Sequence, residues 1–515
     1  MKCLVGALVL LVASGWAAPT AIVLDAANQA HTFDGVGALS AGASSRLLWD
    51  YAEQARDQIL DLLFKPDFGA SLHMLKVEIG GDTQSTDGAE PSHRHAEGDL
   101  DCSRGYESWL LKEAKKRNPN ILTYGLSWGL PGWVGNETFF SSANIQYQVD
   151  WVSCMKSEVG TEIDFLGIWN EKPWGSVDYT VQLRAALDKA GFAGTQIIVA
   201  DGGPHGGLQA AMDSDAAFRS SFYGVGMHYP CDLQWKDVLD HGKRYWSSEE
   251  ASVPADWGGA GCWGRMLNQN YVRINTTASI AWSLIWSAYT NLDCFGNGLL
   301  YAFQPWSGQF SVNSPVWTTA HTTQFVKPGW KYLRPGSGVL PQGGTYVTLV
   351  DGLGNLTLIL ETLVGKCMYH DGCYHDTHPA PQQQVDFSLA KGVLAQRLVA
   401  WLTNETHHFV RLADVPVDEE GRFHFVMPFG TLVTLTTPGN AGRQSKAGGV
   451  PLPHPSESGE TSPFPLPFAE DFTAYPKPLS GPMATYFADQ SGSWEAGGGV
   501  LRQVVTRSPG ANGWS

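Results

Sequence analysis

After its first 18 residues, this chain of 515 has no run approaching the roughly 20 apolar residues that a membrane crossing requires. It is short of basic charge, with 34 Lys and Arg against 50 Asp and Glu and a formal net charge of -16. That balance argues against a polyanionic partner such as nucleic acid. No Gly-x-Ser-x-Gly elbow is present, which weakens a serine-hydrolase reading. Asp34-Gly35-Val36-Gly37 begins like a dinucleotide turn but lacks the full glycine spacing and a suitable acid beyond it, so no nucleotide cofactor is indicated. Cysteine is scarce as well. Once Cys3 leaves with the leader described below, Cys102, Cys154, Cys231, Cys262, Cys294, Cys367 and Cys373 remain. An odd set in an oxidising compartment implies at least one free thiol or an intermolecular bridge, and spacing leaves the pairing open.

The leader spans residues 1–18, with Lys2, an apolar stretch from Leu4 to Val12, and small residues ending at Ala17-Ala18. This is the pattern of a secretory signal peptide, too short to span a bilayer. The mature protein is therefore expected to be soluble and lumenal or extracellular, and its acidic balance suits an acidic compartment. Asn136, Asn275, Asn355 and Asn404 each open an Asn-x-Ser/Thr sequon and are candidate glycan sites. The cluster Cys367, His370, Cys373, His375 and His378 has metal-like density, but in a secreted chain it reads as a disulfide-pinned loop, and no metal is expected. His93 and His95 read as polar lining of a loop.

From about Phe33 to Trp330, strand-like segments ending near Gly37, Ile79, Leu126, Trp169, Ala200, His228, Ser248 and Phe303 alternate with amphipathic helices. The helices are placed at Asp50–Phe64, Tyr106–Arg117, Ile145–Val159, Thr180–Ala190, Leu208–Phe222 and Ala278–Thr290. This order predicts an α/β fold, a (β/α)₈ TIM barrel over residues 34–330, with a doubly wound open sheet as the alternative. Residues 331–438 change to β alternation and Gly-bounded turns, which predicts a β-sandwich to which a strand in residues 19–33 adds an edge. Residues 439–467 are rich in Pro, Gly and Ser and read as a linker. The tail 468–515 is too short and glycine-rich to bury a core of its own.

Two glutamates carry the chemistry. Glu171 closes Gly167-Ile168-Trp169-Asn170-Glu171, and Glu249 stands in Tyr245-Trp246-Ser247-Ser248-Glu249-Glu250. Both fall at predicted strand C-termini, the face on which such barrels keep their active sites. Paired there, one carboxyl can protonate a departing glycosidic oxygen while the other attacks the sugar or activates water. Asn170 beside Glu171 suits a grip on a sugar hydroxyl. Alternation allows only one of Glu249 and Glu250 to face the sugar, and periodicity does not choose between them. Of 20 Trp, Trp128, Trp133, Trp169, Trp246, Trp282 and Trp306 lie near predicted strand ends or loops, where indole faces can stack on a pyranose.

Over about Phe33 to Thr437 the chain resembles the galactosylceramidase family, in blocks that include FDGVGALSAGASSRLL, LFKPDFGASLHMLKVEIGGD, GIWNE, GAGCWGRMLNQNY and SPVWTTAHTTQF. The resemblance implies a barrel, a β-sandwich assembled from both chain ends and, after a linker, a lectin-like domain whose start is residues 468–515. It implies a retaining hydrolase that removes β-galactose from galactosylceramide-like glycolipids in the lysosome, served by a saposin-like lipid carrier. Glu171 matches the family's acid/base and Glu249 its nucleophile; Thr86, Trp128, Asn170 and Trp282 match positions that hold the galactose; Cys262 and Cys367 match a disulfide. A family aromatic near the sugar falls at Cys294 or Phe295, and Met368, Tyr369 and His370 stand where a family arginine is sought. The missing arginine keeps open hydrolysis of another β-glycosyl sphingolipid such as glucosylceramide; glycolipid binding without turnover is the further alternative, motivated by the lectin-like domain being represented only by its start.

Overall fold

The computed structural model describes residues 21–505 apart from 135–137, 173, 204–205, 232–235, 251–253, 366–379, 391, 394, 441–458 and 476–482. Eight parallel strands close a barrel: Gly35–Ser40, Met74–Ile79, Leu122–Ser127, Phe165–Trp169, Gln196–Gly202, Gly224–His228, Arg244–Glu250 and Ala278–Trp282. Alternation sorts their side chains between two cores. Ile198 packs inside the barrel with Met74, Tyr124, Phe165, Trp246 and Ile280, while its neighbours Ile197 and Val199 face the surrounding helices. Gly167 has a local reason to be glycine, because a Cβ there would sit 2.8 Å from the Tyr124 hydroxyl. Its absence leaves Tyr124 room to cross the barrel interior.

The predicted barrel is present, and seven of its strands end within three residues of the expected positions. The eighth is a correction. Ala278–Trp282, read as the start of a helix, is the strand that pairs with Gly35–Ser40 and closes the barrel. The segment ending near Phe303 instead forms a hairpin, Leu300–Gln304 against Gln309–Val312. Ala-Ser-Ile-Ala-Trp is buried at every position, so it shows no period of two, and its alanines favour helix; closure of the sheet overrides both. The helix before it is Trp257–Ile274.

The sandwich has a three-stranded sheet, Ile22–Leu24, Gln383–Leu389 and Arg422–Met427, and a larger sheet led by Thr345–Val350, Leu356–Glu361, Leu432–Thr436 and Arg397–Thr403. Leu24, Phe387, Leu358, Leu398 and Leu435 share the core between them. The N-terminal segment supplies two strands rather than one. A turn at Asp25–Asn28 sends Ile22–Leu24 into the small sheet and Gln29–Thr32 into the large one, against Lys331–Leu333. Strand Gln383–Leu389 escaped the sequence reading because only alternate residues are buried in a polar run.

Helix Ser314–Thr323 joins the two bodies. His321, fully buried, places Nδ1 and Nε2 each 2.8 Å from the hydroxyls of Thr434 and Thr403. Thr434 spends its own proton on the His321 carbonyl, so Nδ1–H donates to Thr434 and Nε2 accepts from Thr403. Burial pushes this imidazole down to about 3, which keeps it neutral. His321→Leu, which leaves the Thr403 hydroxyl proton without its acceptor, is expected to lower unfolding free energy by about 2 kcal/mol, read from the denaturant midpoint at constant m-value.

Candidate active site

Asn170 and Glu171 leave the end of the fourth strand. The Asn170 N–H donates to the Ser127 carbonyl and the Glu171 N–H to the Asp201 carbonyl, each at 2.8 Å. These bonds hold Glu171 at φ 52, a left-handed backbone that non-glycine residues seldom adopt and that turns its side chain into the mouth. Glu249 comes from the seventh strand. Its neighbour Glu250 faces away, fully buried against Ser247 Oγ at 2.6 Å and Asn270 Nδ2 at 2.9 Å, and this resolves the ambiguity between the two.

A cavity of about 390 Å³ is lined by Thr86, Trp128, Asn170, Glu171, Tyr229, Glu249, Trp282 and Cys294. Glu171, Glu249 and the four positions that the resemblance gave for sugar contact are therefore in one place, with Tyr229 added. Cys294, a free thiol, lines the cavity, whereas Phe295 is exposed and packs edge-on against Trp286. The remaining tryptophans are elsewhere. Trp246 fills the barrel interior, Trp169 stacks on Phe139 at 3.8 Å, Trp133 bonds the Arg94 carbonyl, and Trp306 packs on Phe464.

His228, at the end of the sixth strand, stands between the glutamates. Its Nδ1 is 3.2 Å from Glu171 Oε1 and 3.6 Å from Glu249 Oε2, while Tyr229 donates to Glu249 Oε1 at 2.8 Å. Nε2–H of His228 donates to Asp201 at 2.7 Å. Asp201, wholly enclosed, also receives Lys76 at 2.9 Å, Ser248 at 2.8 Å and the Tyr124 hydroxyl. Burial works against the imidazolium, but the charge of Glu249 and bonds to Asp201 and Glu171 outweigh it and push His228 up to about 9. The His228 bond holds Glu171 below the ordinary carboxyl range, and burial lifts Glu249 above it. The donor atoms of Glu171, His228 and Glu249 lie within 4.8 Å of one another.

Sequence reading missed Lys76, Tyr124, Asp201, His228 and Tyr229. Asp201 and His228 carried a usable signal, being polar residues at predicted strand ends. Lys76, in the strand Met74–Ile79, lies inside the barrel with no exposure.

The loop carrying Thr86 is braced from below and above. Glu78 Oε2 accepts from the Gly42 N–H at 3.0 Å and Ser85 Oγ at 2.7 Å. From above, the Asp489 carbonyl receives the Ala89 N–H at 2.7 Å, and Gln490 reaches the Asp87 carbonyl at 3.0 Å. Of the cysteines, Cys102 and Cys154 form a disulfide, and Cys262 is also disulfide-bonded. Cys367, and with it the expected Cys262–Cys367 pair and the surrounding His/Cys cluster, lies outside the described residues, as does Asn136. His95 bonds Asp82 at 2.9 Å, and His93 packs on Tyr147.

Opposed carboxyls at the mouth of a closed parallel barrel, with nearest oxygens under 4.8 Å apart, define the class: a barrel glycoside hydrolase with the close spacing of retaining enzymes, roughly 5 Å. The comparisons take this further. The model of glycosyl hydrolase family 59 matches residues 33–324, and that of the family's central domain matches 332–441. The chain belongs to glycosyl hydrolase family 59. It is 42% identical to galactocerebrosidase of Danio rerio over 96% of this chain and 76% of the relative, and 43% identical to that of Homo sapiens over 94% and 72%. In fold it is similar to the catalytic domain of GH30 xylanase C from Talaromyces cellulolyticus, with a TM-score of 0.61 at 16% identity, covering 81% of this chain and all of that one.

Burial pushes Glu78 up to about 8, and Glu90 and Glu107 well above their usual range. Because the folded state keeps protons that the unfolded chain releases near pH 4.5, this stability is present at acid pH and lost as pH rises toward about 8. His228 acts in the same sense, with stability complete below 6.5 and lost through about 9. The melting temperature is therefore expected to fall from about pH 5 to about pH 8, and Glu78→Gln to flatten that slope in a calorimetric pH series.

Proposed function

We propose that this protein is a retaining β-galactosidase acting on galactosylceramide and related galactosphingolipids, with Glu249 as nucleophile and Glu171 as acid/base. The observation that carries the reading is the single cavity in which both carboxyls meet Thr86, Trp128, Asn170 and Trp282. The close relatives bearing the name galactocerebrosidase support the substrate class.

In the first displacement, Glu249 forms a bond to the anomeric carbon while Glu171 gives its proton to the departing ceramide oxygen. Water then enters, Glu171 takes its proton, and the ester to Glu249 is replaced by the hydroxyl of free galactose. Asn170 suits the 2-hydroxyl, since its buried Oδ1 has no hydrogen-bond partner among the described residues. Trp128 and Trp282 supply the apolar walls. The His228 bond lowers Glu171 and burial raises Glu249, the reverse of the protonation that the first step needs. A bound sugar corrects it by displacing water from Glu171, whose side chain is 38% exposed, because desolvation favours the neutral acid.

A two-chain lipid must leave its bilayer to reach this cleft, and no helix among the described residues is long and apolar enough to cross a membrane. A saposin-like carrier that lifts the lipid, and residence in the lysosome after entry into the secretory pathway, fit these needs. Residues 468–515 are read as the start of a lectin-like domain. Asn136, Asn275, Asn355 and Asn404 are proposed glycan sites, and Cys262–Cys367 a proposed disulfide.

The test uses lipid and aryl β-galactosides, with aryl β-glucosides in parallel. Glu249→Gln is expected to abolish turnover of all of them. Glu171→Gln should cut kcat/KM about 10²- to 10⁴-fold for the lipid while sparing an activated aryl galactoside whose leaving group needs no proton. Wild-type turnover by Glu249→Gln sinks the assignment, and faster glucoside than galactoside hydrolysis sinks the sugar.

A further inference from the structure

The buried groups beneath the two glutamates do more than fill the barrel. Lys76 and Asp201 have no side-chain exposure and His228 only 3%, so two cationic groups and a carboxylate are enclosed together. Such charges persist in an interior only when paired and fully hydrogen-bonded. Asp201 meets that condition with four donors, from the second, third, sixth and seventh strands: Lys76, Tyr124, His228 and Ser248.

The same groups grip the backbone beside each catalytic carboxyl. The Asp201 carbonyl holds the Glu171 N–H at 2.8 Å, and Lys76 holds the carbonyl of Ser248, the residue before Glu249, at 3.0 Å. The titratable groups facing His228 are Asp201 from the fifth strand, Glu171 after the fourth, Glu249 from the seventh and, through Asp201, Lys76 and Tyr124; Tyr229 follows on its own strand. One Nδ1–H therefore serves two acceptors. It lies nearer Glu171, and Glu249 Oε2, buried and without a hydrogen bond among the described residues, stands 3.6 Å off.

Resting on the proposed retaining mechanism, we propose that Lys76, Asp201 and His228 form a positioning relay that directs one imidazolium N–H to whichever glutamate must be ionised in each displacement. During attack the N–H favours the Glu249 carboxylate, leaving Glu171 free to carry its proton. Once Glu249 is esterified its charge is gone, and the N–H turns to Glu171, which must then be the ionised base. His228 keeps its proton throughout. The proton that moves passes from Glu171 to the leaving oxygen, then from water to Glu171. Asp201 fixes the ring and its charge, and Lys76 balances Asp201, so none of the three touches the sugar.

The relay is tested with His228→Gln and with the charge-neutral double variant Lys76→Met/Asp201→Asn, alongside Glu249→Gln. His228→Gln takes the imidazolium charge out of the cleft, and the double variant removes the Asp201 contact that helps to hold that charge. Both limbs of the kcat/KM pH profile on an aryl β-galactoside should then move upward by roughly one unit. kcat should fall at least tenfold with KM changed less than threefold, a split that marks loss in the transition state. Limbs that stay in place while kcat falls mean a merely structural role and overturn the relay. If the double variant does not melt cooperatively, His228→Gln decides alone, since it leaves the Lys76–Asp201 pair intact. Activity surviving in Glu249→Gln instead overturns the retaining mechanism itself, so the two failures are distinct.

Discussion

The site depends on one buried carboxylate. Asp201 is enclosed at the centre of the barrel, where an unpaired charge would cost several kcal/mol. That constraint draws donors from four strands to a single point and fixes the strand ends relative to one another. Because its backbone carbonyl also holds Glu171 in a left-handed conformation, the orientation of the acid/base candidate follows from the interior of the barrel rather than from a loop. Gly167 belongs to the same arrangement, since only a glycine there lets Tyr124 reach across.

Outside this hub, the fold works mainly to hold the mouth. The Thr86 loop is secured by a buried Glu78 below, a few residues earlier on the second strand, and by the 484–490 segment above, which is remote in sequence. Arg46 reaches the Ala484 carbonyl at 2.8 Å, extending the same seam. Burial raises the carboxyls of Glu78, Glu90 and Glu107, so protonation stabilises this part of the fold. The sandwich braces the opposite side through His321, whose two ring nitrogens are matched to two threonine hydroxyls.

Much of this was legible in the chain because strands in a closed parallel barrel are short apolar runs separated by amphipathic helices. Seven strands and the two glutamates follow from that pattern. The eighth strand does not, since Ala278–Trp282 is buried on all sides and carries no period. The choice between Glu249 and Glu250 was also closed to sequence reasoning, as alternation says that they differ and not which one faces inward. Of six tryptophans placed near the mouth by sequence, two line the cavity, because a strand-end indole can pack into the core as readily as face a ligand.

By itself, then, the sequence determined the class of fold, the order of its elements and the residue types available at the strand ends, because these depend on local periodicity and burial preference. Which of those residues meet was decided by tertiary structure alone. Lys76, Asp201 and His228 are separated by 125 and 27 residues along the chain and come together only when the barrel closes. The physical reason is that a charge in an apolar strand has no local partner; its partner is whatever the closed sheet brings opposite it.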